Sequence, residues 1–89
     1  MENPIDMSGK VVIVTGGAKG VGRGITRIFL DAGAKVVICG RNEPDDIPKA
    51  DGPAEIAFFA ADVREVEQVD AVVTQTVERF GRLDVLVNN

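Results

Sequence analysis

"TGGAKGVG", Thr15–Gly22, joins an apolar strand-like run to an apolar helix-like run with four glycines, one lysine and almost no bulk. Glycine loses the most backbone freedom on folding, so such a cluster has to serve a purpose. Before it lies "KVVIVT", Lys10–Thr15, short, β-branched and apolar on both faces, as a buried parallel strand requires. After it, Val21, Ile25, Ile28, Phe29 and Ala32 recur at helical spacing, and Gly33 follows as a C-terminal cap. Between strand and helix the chain has to turn tightly, so that main-chain N–H groups and the positive end of the helix dipole face an incoming anion. Gly16 is expected to make the turn, Gly20 to let a diphosphate approach the backbone, and Gly22 to let the helix pack closely against the sheet.

The same alternation continues along the chain. "AKVVICG" (34–40) reads as a second buried strand and "EIAFFAA" (55–61) as a third. The connection between them, "RNEPDDIPKADGPA", holds three prolines, one glycine and several acids, which predicts a surface segment with at most a turn of helix. A second amphipathic helix is expected over 65–80, with Val66, Val69, Val73, Val77 and Phe80 on one stripe and Gly81 ending it. "LDVLVNN" (83–89) reads as a fourth strand. Strands that are apolar throughout and alternate with helices imply an α/β fold, a doubly wound parallel sheet of Rossmann type with four strands in the order 3-2-1-4. The glycine stretch then lies at the switch point, above the C-terminal end of the first strand.

Composition narrows the chemistry. The 89 residues allow one small domain, and its net charge of −4, without blocks of like charge, gives no nucleic-acid surface. The single cysteine, Cys39, excludes an internal disulfide and favours a reducing, cytoplasmic setting; it reads as a small buried hydrophobe at a strand end. The N-terminal "MENPIDMSGK" lacks the pattern of a signal peptide, and no run approaches the roughly 18 apolar residues of a membrane span. There is no histidine and no tyrosine, and the one serine is Ser8, so acid–base and nucleophilic groups are poorly supplied. Gly16, Gly20 and Gly22 are spaced G-x-x-x-G-x-G, which is neither the commonest dinucleotide fingerprint nor a Walker A loop, since Lys19 precedes Gly20 and no G-K-[ST] occurs.

The stretch "GKVVIVTGGAKGVGRGI" resembles the opening of the short-chain dehydrogenase/reductase family, whose signature T-G-x-x-x-G-x-G is met by Thr15, Gly16, Gly20 and Gly22. Asp62-Val63 after the third strand and Asn88-Asn89, which match the start of that family's N-N-A-G, follow in the right order, so the likeness spans almost the whole chain. It implies that residues 1–89 are the N-terminal part of one NAD(P)-binding domain, with cofactor contacts at Gly16, Lys19, Gly20, Val21, Gly22, Arg41, Asp62, Val63 and Asn88. Asp62 would meet the adenine amino group, and Asn88 would support the sheet centre on the adenosine side. By themselves, Asp62 also fits a helix N-cap for the segment from Val63, and Asn88 a turn at a strand end.

An acid some twenty residues past the glycines grips the ribose 2′-hydroxyl of NAD. Here the second strand ends Cys39-Gly40-Arg41, so no carboxylate stands there to repel a phosphate, and Arg41 with Lys19 offers two cations. NADP is therefore favoured over NAD, although Glu43, Asp45 and Asp46 lie close enough in sequence to serve NAD, Arg41 can equally be a solvated loop residue, and Lys19 and Arg23 taken alone read as surface charges. The Ser-Tyr-Lys set that the resembled family uses for hydride transfer has no counterpart here, so these residues alone should be inactive and no catalytic or metal-binding residue is assigned. The complete protein is expected to be an NADP(H)-dependent oxidoreductase acting on a small carbonyl or alcohol substrate, and a homo-oligomer, as family members often are. The alternatives are a non-catalytic dinucleotide-binding module and an S-adenosylmethionine-dependent methyltransferase; Gly40, where the latter would want an acid, speaks against it.

Overall fold

In the computed structural model, which describes residues 6–89, the first strand, β1 (Val11–Thr15), is buried at all five positions. It leads through a turn at 16–19 into α1 (Gly20–Asp31), and β2 (Lys35–Gly40) follows after Gly33. Gly33 takes φ +92°, the left-handed conformation that ends a helix cheaply only where no Cβ is present. β3 (Glu55–Ala60), α2 (Val66–Phe80) and β4 (Val85–Val87) complete the order. All three pairings are parallel and the sheet order is β3-β2-β1-β4, as the alternation of apolar strands and helices predicts. Element boundaries fall within one residue of expectation except at β4, where pairing covers only Val85–Val87.

Two apolar layers sandwich the sheet. Val12, Val14, Val36 and Ile38 point to one face with Leu30 of α1; Ile13, Val37 and Cys39 point to the other with Val72 of α2. Burying an aliphatic side chain fully is worth about 1.5–3 kcal/mol, so β1 and β2, whose valines and isoleucines are nearly all inaccessible, anchor the fold. Their C-terminal ends are thus the most rigidly placed points on which a site can be built.

Each helix turns part of its expected stripe inward, Ile25, Phe29 and Ala32 on the first and Val69, Val73 and Phe80 on the second, and leaves the rest of it in solvent. On α1 the buried residues are Gly22, Thr26 and Leu30, flanked by Ile25 and Phe29, while Val21 is 75% and Ile28 66% exposed. Small Thr26 draws the helix close to the sheet, Leu30, Ile25 and Phe29 pack around it, and only Val21 and Ile28 of the large apolar residues stay in solvent. On α2, Val72 and Thr76 are buried and Val73 and Phe80 pack beside them, whereas Val66, in the first turn, is 73% exposed and Val77 is also exposed. Thr76 takes a core position because its hydroxyl donates to Val72 O at 2.7 Å and needs no water. The 41–54 connection contains no helix, and it is not wholly superficial: Pro48 is buried, and Ile47 and Ala50 pack on the α1 face of the sheet. The N-terminal run read for targeting signals falls partly on residues 1–5, outside the described residues. Among the described residues no helix is long and apolar enough to cross a membrane.

Candidate cofactor-binding site

The C-terminal ends of β1 and β2 open onto two adjoining clefts. The larger, of about 460 Å3, runs between the glycine turn and the segment after β2 and is bordered by Gly16, Lys19, Gly40, Arg41 and Asp46. The smaller, about 280 Å3, lies on the other side of Arg41 and is bordered by Asp62, Val63, Arg64 and Asn89. Gly40 and Arg41 border both, so the two clefts form one track across the sheet end.

The glycines divide the labour of the turn. Gly16 has φ +63° and its N–H donates to Cys39 O at 2.9 Å, which pins the start of the turn to β2. Gly20 has φ +56°, and a Cβ placed there would enter open space on the solvent side. A Cβ at Gly22 would instead strike the carbonyl of Gly16, so Gly22 packs α1 against the turn rather than against the sheet, a correction to its expected role. The close approach to the sheet belongs to Gly17, whose Cβ would lie 2.6 Å from Ile38 Cγ2 and 2.7 Å from Thr26 Oγ1. Thr26 secures that contact by donating to Gly17 O at 3.0 Å. Gly17 occupies a free position of the signature; the one hint in the sequence is a threonine in the middle of an apolar helix face.

Lys19, the N-cap of α1, is extended and makes no side-chain cap, and the first turn contains no acid. Among the described residues, no carbonyl or side chain receives the N–H groups of Gly20, Val21 and Gly22. Helix starts leave such donors unsatisfied, and here they meet the positive end of the dipole beneath a glycine with nothing above it. Val21 contributes its amide, since its side chain points into solvent.

Beyond the turn, Asp62 sits at the mouth of the smaller cleft. Its carboxylate accepts from Arg64 Nη2 (2.8 Å), Arg64 Nε (3.0 Å) and the Arg64 N–H (3.0 Å). The Arg64 side chain first, then its N–H, hold the Asp62 carboxyl at a pKa of about 2, with Arg41 adding a smaller push. Asp62 is therefore not the N-cap of α2, which begins at Val66 behind Glu65; it closes a local turn and keeps an ionised acceptor facing the cleft. Val63 is exposed beside it. Asn89 borders the cleft rather than Asn88: its N–H donates to Thr15 Oγ1 at 2.8 Å, and its side-chain amide reaches Gly16 O at 3.5 Å. Thr15 Oγ1 in turn lies 3.3 Å from Val87 O and 3.5 Å from Asn88 Oδ1, so Asn88 contributes to the β1–β4 junction. Cys39 is buried at the end of β2, and burial raises its thiol pKa, which keeps it protonated and unreactive.

Arg23 emerges as a structural participant that its sequence position did not announce. Its guanidinium pairs with Asp46 at 2.9 Å, across 23 residues, so no local pattern could have shown it. Arg41 and Lys19 both border the larger cleft, with Glu43 and Asp45 on the same rim. Among the described residues no group of histidine, cysteine and acids has the makings of a metal site.

The family model for short chain dehydrogenases matches residues 10–89. L-fucose dehydrogenase of Oryctolagus cuniculus is 48% identical over 82 residues, covering 92% of this chain and 29% of that protein. A short chain dehydrogenase from Bacillus anthracis superposes with a TM-score of 0.75 at 37% identity, over 93% of this chain and 35% of its own. An NADH-dependent reductase A1-R′, complexed with NAD, gives a TM-score of 0.80 at 28% identity, over 93% of this chain and 36% of its own. The chain thus spans about 30% of the length of the curated relatives it matches. A matching family model over nearly all the described residues, the parallel β3-β2-β1-β4 sheet and the glycine turn at its switch point lead to one assignment: the chain belongs to the short-chain dehydrogenase family.

Proposed function

We propose that residues 1–89 are the N-terminal, adenosine- and diphosphate-binding part of an NADP(H)-linked oxidoreductase that interconverts a carbonyl and an alcohol on a small molecule. The observation that carries this reading is the unsatisfied donor set at Gly20–Gly22, lying under a glycine whose missing side chain leaves the approach clear. A dinucleotide fits these residues: the diphosphate against the amides of Gly20, Val21 and Gly22, the adenine between Val63 and the Asp62 carboxylate, the ribose near Gly40. Asp62, ionised above about pH 2, acts only as an acceptor, which suits an exocyclic amino group. Gly16 and Asn88 act indirectly, by shaping the turn and joining β1 to β4. With the dinucleotide bound there, its nicotinamide would supply or take up the hydride; the residues of this chain bind the adenosine and the diphosphate, and none of them is assigned acid–base chemistry.

For NADP over NAD, the support is electrostatic. Position 40 carries no carboxylate, and Arg41 and Lys19 stand on the rim of the larger cleft. An arginine presents a planar fork to a phosphate and a lysine a point charge, and the two differ in reach. Residence in the cytoplasm and assembly of the complete enzyme into a homo-oligomer belong to the same proposal. Titrating the chain with NADPH and with NADH by nucleotide fluorescence tests the cofactor assignment: tighter binding of NADPH, weakening steeply with salt, is expected. Equal or tighter binding of NADH would overturn the roles given to Lys19 and Arg41.

A further inference from the structure

One wall of the larger cleft is explained neither by the glycine turn nor by Arg41. The segment after β2 (41–46) has no regular structure, yet its far end is tied down at a single point. Arg23, on the second turn of α1, donates from Nη1 to Ala18 O (3.1 Å) and to Asp46 O (3.1 Å), and from Nη2 to Asp46 Oδ2 (2.9 Å). One guanidinium therefore joins the helix, the glycine turn and the loop. An exposed ion pair of this kind adds little to stability, so its geometry invites another explanation.

The rim of the cleft carries Lys19, Arg23 and Arg41 against Glu43, Asp45 and Asp46. Pairing Arg23 with Asp46 withdraws one charge of each sign. Without Arg23, three carboxylates would share the rim with two cations, and Asp46 would be free to swing toward Arg41 and compete with a phosphate. We propose that Arg23 is a specificity-determining positioning residue: it sequesters the Asp46 carboxylate against α1, so that Arg41 and Lys19 can act on the ribose 2′-phosphate unopposed by it. This rests on the NADP reading above.

The test is a two-residue cycle on the full chain, measuring NADPH and NADH dissociation constants for wild type, Arg23→Gln, Asp46→Asn and the double variant. A unit charge released to within a few ångströms of a phosphate in water is worth about fivefold in affinity. Arg23→Gln is expected to weaken NADPH about fivefold, to leave NADH within twofold, and to lose most of this difference in 1 M salt. Asp46→Asn, at an exposed loop position that endangers no core contact, should keep wild-type NADPH affinity. The double variant should recover it, because the offending carboxylate is gone. An equal loss of NADPH and NADH in Arg23→Gln, a double variant as weak as Arg23→Gln, or a loss in Asp46→Asn would each overturn the inference. A wild type that prefers NADH overturns the NADP reading itself, whereas a wild type that prefers NADPH beside an unresponsive Arg23→Gln overturns this inference alone.

Discussion

Gly22 and Gly24 lie two residues apart on α1, on different faces, and should respond oppositely to the same change. A methyl group at Gly22 collides with the Gly16 carbonyl, which is backbone and cannot rotate away, so Gly22→Ala should cost about 1–3 kcal/mol and distort the turn. A methyl group at Gly24 meets nothing within 4 Å and sits in helix interior, so Gly24→Ala should gain roughly 0.5–1 kcal/mol. Denaturant unfolding of the two variants checks the pair. Asp62 makes a pH prediction. Its folded pKa is depressed, so the stabilisation it lends is complete above its ordinary value of 3.8 and is lost as pH falls toward about 2. The Asp62 carboxyl carbon, followed by NMR, should titrate near pH 2 in the wild type and move up toward 3.8 in Arg64→Ala, with the acid limb of stability shallower in that variant.

Elements show how far the sequence could be read. The strands were legible because uninterrupted β-branched runs such as "KVVIVT" leave a buried parallel strand as the economical solution, and the turn was legible because Gly16, Gly20 and Gly22 sit between a strand and a helix. The helix faces were legible only in part: Ile25, Phe29, Val73 and Phe80 pack inward as their spacing implies, but Val21, Ile28, Val66 and Val77 do not. Hydrophobic spacing ranks residues by size and polarity, whereas α1 docks through Gly22 and Thr26 against the turn residues Gly16 and Gly17, where closeness matters more than bulk. Nor did the sequence single out Asn89 for the cleft rim, because Thr15 Oγ1 captures its N–H in a contact across 74 residues. The Thr26 hydroxyl is the test of that docking. Thr26→Val removes the donor and strands the carbonyl of Gly17 at a buried contact, so it should destabilise by about 1–3 kcal/mol despite adding an apolar methyl. A melt unchanged from wild type would show that closeness, without the hydrogen bond, seats the helix.

For the whole molecule, the order β3-β2-β1-β4 puts the rigid centre under the cleft and the shortest strand at an edge. β4 pairs with β1 over three residues, and Leu86 beside that edge is half exposed. An open apolar edge invites pairing with another chain, so the 89-residue polypeptide should associate at micromolar concentration, and Leu86→Lys should shift it toward monomer in sedimentation velocity. The proposal as a whole stands on the amides at the start of α1 receiving a diphosphate. The direct measurement is a 1H–15N correlation titration of the labelled chain with NADPH: the N–H resonances of Gly20, Val21 and Gly22 should move most and saturate together with the fluorescence signal. Shifts confined to the opposite end of the sheet, around Gly33, Ala54 and Gly81, with those three amides unmoved, would contradict it.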